Sequence, residues 1–163
     1  MSAQGSSVTA QGPPVNGRPL LREAKPTDYD AWLPLWHGYL AFYKMDLPVC
    51  TTYTTWERLL DPDEPMHLRL AQLNGRVVGL VHFIEHRSTG SPYNVIYLQD
   101  LYTAPDARGR GVGRALIECV FAYAQGMHAS KVHWLTHEDN TTARRLYDRV
   151  AELSPFRQYR KLF

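Results

Sequence analysis

Hydrophobic and polar positions change period several times along this 163-residue chain, and each change marks an element. Leu20 to Ala24 reads as a short strand. Pro26-Thr27-Asp28 follows as a turn and helix start, with Asp28 or Thr27 as N-cap. From there to about Tyr43 the chain is dense in Trp, Leu and Tyr and reads as helix, although Pro34 sits in its first turns. Thr52 to Leu60 reads as a second short helix and Asp61 to Pro65 as a turn cluster. Three strands come next. His67 to Leu73 passes through Asn74-Gly75, a strong hairpin signal, into Arg76 to His86. A Ser/Gly/Pro loop, Ser88 to Pro92, leads into Asn94 to Thr103. The last two strands are apolar on both faces, as in the middle of a sheet covered by helices.

The period then becomes helical. Val112, Leu116, Cys119, Val120 and Tyr123 share one helical face. Lys131 to Thr136 reads as a short buried strand. Ala143, Leu146, Tyr147 and Val150 form another helical stripe, and Phe156 to Leu162 reads as a closing strand. The string βααβββαβαβ predicts one α/β domain with a mixed sheet.

Met1 to Gly17 stands apart, being rich in Ser, Gln, Gly and Pro without a charged side chain. Such a segment buries too little apolar surface to offset the entropy of ordering. Residues 1–17 are therefore expected to be a flexible tail, with an expression-vector remnant as the alternative, and 18–163 the domain. Composition (44% hydrophobic, 21% charged, 12% aromatic) is that of a globular protein. The formal net charge of +2 is too balanced for an obligate nucleic-acid binder held by a basic field. Cys50 and Cys119 form no CxxC pair and no zinc-finger spacing, which fits a reducing cytosol. The longest apolar run, Val77 to Ile84, is interrupted by His82 and is far short of the roughly 20 residues a membrane helix needs. The first residues lack the basic start and apolar core of a secretory signal, so the expected location is cytoplasmic.

The most informative stretch is Ala107-Arg108-Gly109-Arg110-Gly111-Val112-Gly113-Arg114, between a strand and a helix. Glycines allow close backbone approach and positive φ. The first N–H groups of a helix lack internal partners and, with the helix dipole, bind anions. Arg108, Arg110 and Arg114 add guanidinium groups suited to phosphate oxygens. A diphosphate-bearing ligand is one reading; a surface loop with solvated arginines is the other. A Walker A loop is excluded because Arg114 and Ala115 follow Gly113. A dinucleotide fingerprint is excluded because the spacing is G-x-G-x-G and follows the fourth strand.

In Arg108-Gly-Arg-Gly111-Val-Gly113 the chain resembles the GNAT superfamily of acetyl-CoA-dependent N-acetyltransferases, whose signature is Arg/Gln-x-x-Gly-x-Gly/Ala. The likeness runs in order from about Arg18 to Phe163. It includes Ile96-Tyr-Leu-Gln-Asp-Leu-Tyr-Thr103 as fourth strand, Trp134-Leu-Thr-His137 as fifth, and Asn140-Thr-Thr-Ala143 to Leu146-Tyr147 as the next helix. The nearest look is to spermidine/spermine and yeast-type histone/polyamine acetyltransferases. The resemblance implies a GNAT-like mixed, mostly antiparallel sheet flanked by helices, with strands four and five splayed by a bulge. It implies that backbone groups of Leu101, Tyr102 and Thr103 pair with the pantetheine arm. It further implies that N–H groups from Gly109 to Arg114, Val112 and Gly113 among them, hold the pyrophosphate. Asn140 would contact acetyl-CoA and Ala143 would leave room for it. Tyr147 would protonate the departing thiolate. A phenol of pKa about 10 suits a thiolate whose thiol pKa is about 8.5. Read from the residues alone, Tyr147 fits a core position and Asn140 an N-cap equally well.

The base is less defined. Polyamine enzymes carry glutamate where this chain has Gln99, which can orient a water or the substrate but cannot accept a proton. Asp100 points to the opposite face by alternation unless the bulge turns it. His82, Glu85, His137 and Glu138 are further candidates. His82 and His86 lie about 13 Å apart on one strand face, too far for a shared metal, and no metal is expected. The longer loop Ala151-Glu-Leu-Ser-Pro155-Phe156 replaces the family's Gly-Phe, and Tyr39, Phe42, Tyr43, Lys44 and Asp46 are placed near the acceptor by analogy. The sequence thus predicts acetyl transfer to a primary amine (a polyamine, an amino acid or a lysine side chain) by direct attack in a ternary complex. The expected partner is a small-molecule or peptide amine, with no nucleic acid and no membrane, and the expected assembly is a homodimer. The alternative is a non-catalytic acetyl-CoA sensor.

Overall fold

The computed structural model describes residues 17–163, so the expected tail lies outside the described residues except for Gly17. The chain divides into two compact units, one ending at His133 and the other Trp134–Phe163. In the first, β1 (Leu20–Glu23), β2 (Met66–Leu73), β3 (Arg76–His86), β4 (Val95–Thr103) and β5 (Lys131–His133) form one sheet in the order 1-2-3-4-5. Neighbours are antiparallel except β4 and β5, which run parallel. The expected mixed, mostly antiparallel sheet is what forms.

Three helices accompany the sheet in this unit: α1 (Tyr29–Phe42), α2 (Val49–Leu60) and α3 (Val112–Gly126). Successive strand residues point to opposite faces, and β3 shows what that separates. His82 meets Trp32 of α1, while Phe83 meets Tyr123 of α3. The sheet is therefore covered on both sides, which is why β3 is apolar on both faces from Val77 to Ile84 apart from His82. On α3 the buried face is Val112, Leu116, Ile117, Val120 and Ala124, each large side chain contributing roughly 1.5–3 kcal/mol on burial; of the expected stripe, Cys119 and Tyr123 are only half-buried. Asn74 (φ 52°) and Gly75 (φ 79°) both take left-handed backbone, the pattern of a two-residue hairpin turn.

Several boundaries differ from expectation. The second helix begins at Val49, just after Pro48, rather than at Thr52. β5 stops at His133 rather than Thr136. Asp28 is the N-cap residue of α1, one of the two expected, but it makes no side-chain capping hydrogen bond there. Thr27 and Asp28 lie in a 3-10 turn, Pro26–Asp28, and the Asp28 carboxylate instead accepts from the Lys25 N–H and pairs with Arg22 at 2.7 Å.

The second unit holds one helix, α4 (Thr141–Tyr147), which ends before Val150. The expected strand over Phe156 to Leu162 does not form: the segment is irregular and exposed, Phe156 at 90% and Tyr159 at 94%. Its apolar residues fall three apart, with Arg157, Arg160 and Lys161 between them. No period-2 face exists there to bury, and an isolated strand has little stability of its own.

Candidate functional site

β4 leads into the glycine turn through a 3-10 turn, Pro105–Ala107, and the Ala104 N–H ties the exit to Val78 O at 2.8 Å. Gly109 (φ 73°) and Gly111 (φ 78°) take left-handed backbone, and Gly111 is the N-cap of α3 with no side-chain cap. The first α3 amides therefore have neither an intrahelical partner nor a capping side chain. A Cβ placed on either glycine would meet nothing within 4 Å. Exposed amides at a positive helix end, under open space, suit an anion lying on the main chain.

The helix end is seated by a third glycine. A Cβ on Gly79 of β3 would come within 2.8 Å of Val112 Cγ1 and 3.1 Å of Tyr102 O. Its absence lets α3 start directly against β3 and β4. Of the three arginines, Arg108 lies over the Tyr102 ring and donates from Nε to Thr103 O at 3.2 Å. Arg114 pairs with Glu118 one turn along the helix, and Arg110 is exposed.

The edge of β4 changes character along its length. Towards β3 it is paired from Val95 to Thr103. Towards β5 it is paired only at Val95, Ile96 and Tyr97. From Leu98 onward that edge has no strand partner among the described residues. Leu101, Tyr102 and Thr103 lie on this open stretch and lead into the glycine turn. Unpaired strand edges accept an added extended chain through main-chain hydrogen bonds.

The bulge lies where the open edge begins. His82 is opposite Asp100, yet Phe83 is opposite Leu98, so Gln99 is the extra residue. Gln99 is exposed, whereas Asp100 turns inward onto the α1 face and is 7% exposed. There Trp32 Nε1 donates to His82 Nε2 at 3.0 Å, and His82 Nδ1 lies 2.9 Å from Asp100 Oδ2. An indole N–H only donates. The imidazole proton therefore sits on Nδ1 and is donated to Asp100. The Tyr39 phenol is raised well above its ordinary range, first by burial, then by the Asp100 charge and a hydrogen bond to it. Burial and the same charge also raise Tyr97.

Two of the candidate bases are hydrogen-bonded in separate places, His82 within this network and Glu85 outside it. Both His82 nitrogens are engaged. Glu85 accepts from Asn94 and from the Tyr123 hydroxyl on the α3 side. The sequence reading missed the network as a unit. Its visible signals were His82, which interrupts the apolar run Val77 to Ile84, and Asp100, between Gln99 and Leu101 in β4.

In the second unit Asn140 caps α4, accepting from the Ala143 N–H at 3.4 Å and donating to Thr136 Oγ1 at 3.2 Å. Tyr147 packs edge-on against Trp134 with ring centroids 5.4 Å apart. His137 pairs with Asp139, and Glu138 is exposed. Among the described residues no group of three or more His, Cys, Asp or Glu is placed to hold a metal ion, and no helix is long and apolar enough to cross a membrane.

The comparisons with known proteins agree with this geometry. The D-amino-acid N-acetyltransferase HPA3 of Saccharomyces cerevisiae is 35% identical over 139 residues, 84% of this chain and 86% of the relative. The ribosomal-protein-alanine N-acetyltransferase of Brucella melitensis superposes with TM-score 0.73 at 21% identity, over 89% of this chain and 99% of that one. AAC(6')-Iy, in complex with the bisubstrate analogue CoA-S-monomethyl-acetylneamine, gives 0.74 at 19% identity over the same shares. The family model described as the acetyltransferase (GNAT) family matches residues 30–151. A match over most of the chain, joined to an open fourth-strand edge that runs into an uncapped glycine turn, makes this protein a member of the GNAT acetyltransferase family.

Proposed function

We propose that this protein transfers an acetyl group from acetyl-CoA to the primary amine of a small molecule, with amino acids as the leading acceptor class, by direct attack within a ternary complex. The observation that carries the reading is the open edge of β4 from Leu98 to Thr103, continuous with the uncapped, sterically open turn Gly109–Gly111. Acetyl-CoA brings an acetyl group already activated as a thioester. The amides of 109–114 hold its pyrophosphate with the help of Arg108 and Arg110. The main chain of Leu101, Tyr102 and Thr103 aligns the pantetheine arm as an added strand. Asn140 contacts the same ligand and Ala143 leaves it room.

Rate then comes chiefly from orientation of the amine on the thioester and from donors aimed at the developing oxyanion. Gln99, exposed at the bulge, orients the acceptor or a water. Tyr147 donates a proton to the departing sulfur, a role its phenol chemistry supports. The amino-acid acceptor is supported by the D-amino-acid activity named for the yeast relative.

The test is an acceptor screen. Purified protein with acetyl-CoA is offered D- and L-amino acids, diamines and a lysine peptide, with free thiol followed at several pH values and products identified by mass spectrometry. Thiol release that depends on an amino acid is the expected result. Thermal stabilisation by acetyl-CoA without release in any amine would favour a coenzyme sensor instead.

A further inference from the structure

We propose that His82, held by Trp32 as the Nδ1–H tautomer, is a positioning residue that presents the Asp100 carboxylate as the anionic seat for the acceptor's ammonium group. Asp100 would thereby capture acceptors as ammonium ions in preference to neutral molecules of the same shape, and the captured nitrogen must release one proton to solvent before its lone pair attacks the thioester. The role in catalysis rests on the acetyltransferase reading.

Three observations carry this. The first is the tautomer lock. A doubly protonated His82 would set an Nε2–H against the Trp32 N–H, two donors facing each other at 3.0 Å. His82 therefore gives Asp100 a hydrogen bond without neutralising it. The second is the missing counterion. Among the described residues no Lys or Arg nitrogen lies within 4 Å of Asp100, whose ion-pair contact is His82 alone. A buried carboxylate without a cation costs several kcal/mol, of order the penalty for burying an ion, unless something charged joins it. The groups facing it are all neutral: Tyr39 from α1, His82 from β3 and Tyr97 from β4.

The third observation is the wall around it. Trp36 stacks on Tyr39 with centroids 5.3 Å apart and lies 5.3 Å from the His82 ring. Aromatic faces beside a carboxylate attract ammonium groups and gain little from a neutral ligand. The bulge supplies the position. It turns Asp100 inward at the start of the open β4 edge, the residue before the main chain proposed to align pantetheine.

The decisive measurement uses the wild-type protein. ¹⁵N-resolved NMR near pH 7.5, with coenzyme A at saturation, reports which His82 nitrogen carries the proton. The expected pattern is protonated Nδ1 and bare Nε2. Butylammonium should shift these signals saturably, and 1-pentanol should not. Asp100→Asn should abolish the butylammonium response while calorimetric affinity for coenzyme A stays within about twofold. In turnover, His82→Leu should raise the amine KM about tenfold at unchanged acetyl-CoA KM. His82→Asn, which keeps an N–H near the Nδ1 position, should restore most of that loss.

Protonated Nε2, an equal response to pentanol, or an undiminished butylammonium response in Asp100→Asn would overturn the proposal. Saturable, Asp100-dependent butylammonium binding in a protein that releases no thiol with any amine would uphold the ammonium seat and refute the acetyltransferase reading.

Discussion

The anion site proposed at the glycine turn makes a quantitative demand on Gly111. Its φ of 78° is left-handed, and a Cβ there would point into open space. Substitution therefore has a backbone cost of about 1–2 kcal/mol and no clash. In a protein of this size that lowers Tm by roughly 2–8 °C. An aspartate at 111 adds a negative charge beside the pyrophosphate proposed to lie on this turn. At a separation of about 5 Å and an effective dielectric between roughly 20 and 80, each phosphate charge is opposed by about 1–3 kcal/mol. Two phosphate charges double that, so acetyl-CoA affinity should fall by about thirtyfold at the least and by about four orders of magnitude at the most.

The control is Gly75→Asp. Gly75 has φ 79° and equally open space, but lies in the β2–β3 hairpin. Both variants should lose similar Tm, and only Gly111→Asp should lose calorimetric affinity at about 0.15 M salt, where exposed charges beyond roughly 8 Å are screened. Gly111→Asp binding acetyl-CoA within threefold of wild type would remove the pyrophosphate from this turn.

Gly79→Ala tests the seating of the helix. Its Cβ at 2.8 Å from Val112 Cγ1 must displace the start of α3, so a loss of about 1–3 kcal/mol in urea unfolding and weaker acetyl-CoA binding are expected together. Tyr147→Phe should lower turnover and leave acetyl-CoA affinity nearly unchanged; wild-type turnover would dismiss the proton-donor role. Stability should also depend on pH. The imidazole of His67 is pushed below its ordinary pKa by burial first and by Arg69 second, and that of His133 by burial, Lys131 and His86. The unfolded chain then binds more protons than the folded one as pH falls below about 6.5, so stability should decline there until the folded value is passed. Melts between about pH 7.5 and 5 should show this slope, and His67→Gln should flatten it; an unchanged slope in the variant would place the titration elsewhere.

How much of this was legible in the sequence follows from the range over which each signal acts. The glycine turn was readable because every part of it is local: two residues at positive φ, a helix start and the strand before it lie within one short run. The hairpin at Asn74-Gly75 and the α3 stripe were readable for the same reason. The boundaries that moved, at Val49 and His133, are set by packing and pairing beyond the local pattern. The closing strand at Phe156 failed because aromatic content stood in for periodicity, and a spacing of three suits no strand face.

The face on which Asp100 lies is a different case. Strict alternation carries Asp100 to the same face as Leu98, which packs with Phe83 on the α3 side. One unpaired residue, Gln99, reverses that parity for the rest of β4. No property of Gln99 itself signals a bulge. What signals it is the partner strand, because a buried Asp needs donors, and His82 and Tyr39 can supply them only on the α1 side. The requirement that a buried carboxylate be satisfied thus selects the bulged register over the regular one. By this argument, deleting Gln99 would restore alternation and drive Asp100 among the apolar side chains under α3. The deletion should destabilise the fold by more than the loss of a surface residue, and Asp100→Leu in the deleted chain should recover part of that stability. A Gln99 deletion with wild-type Tm would mean that the bulge is not what directs Asp100 to His82.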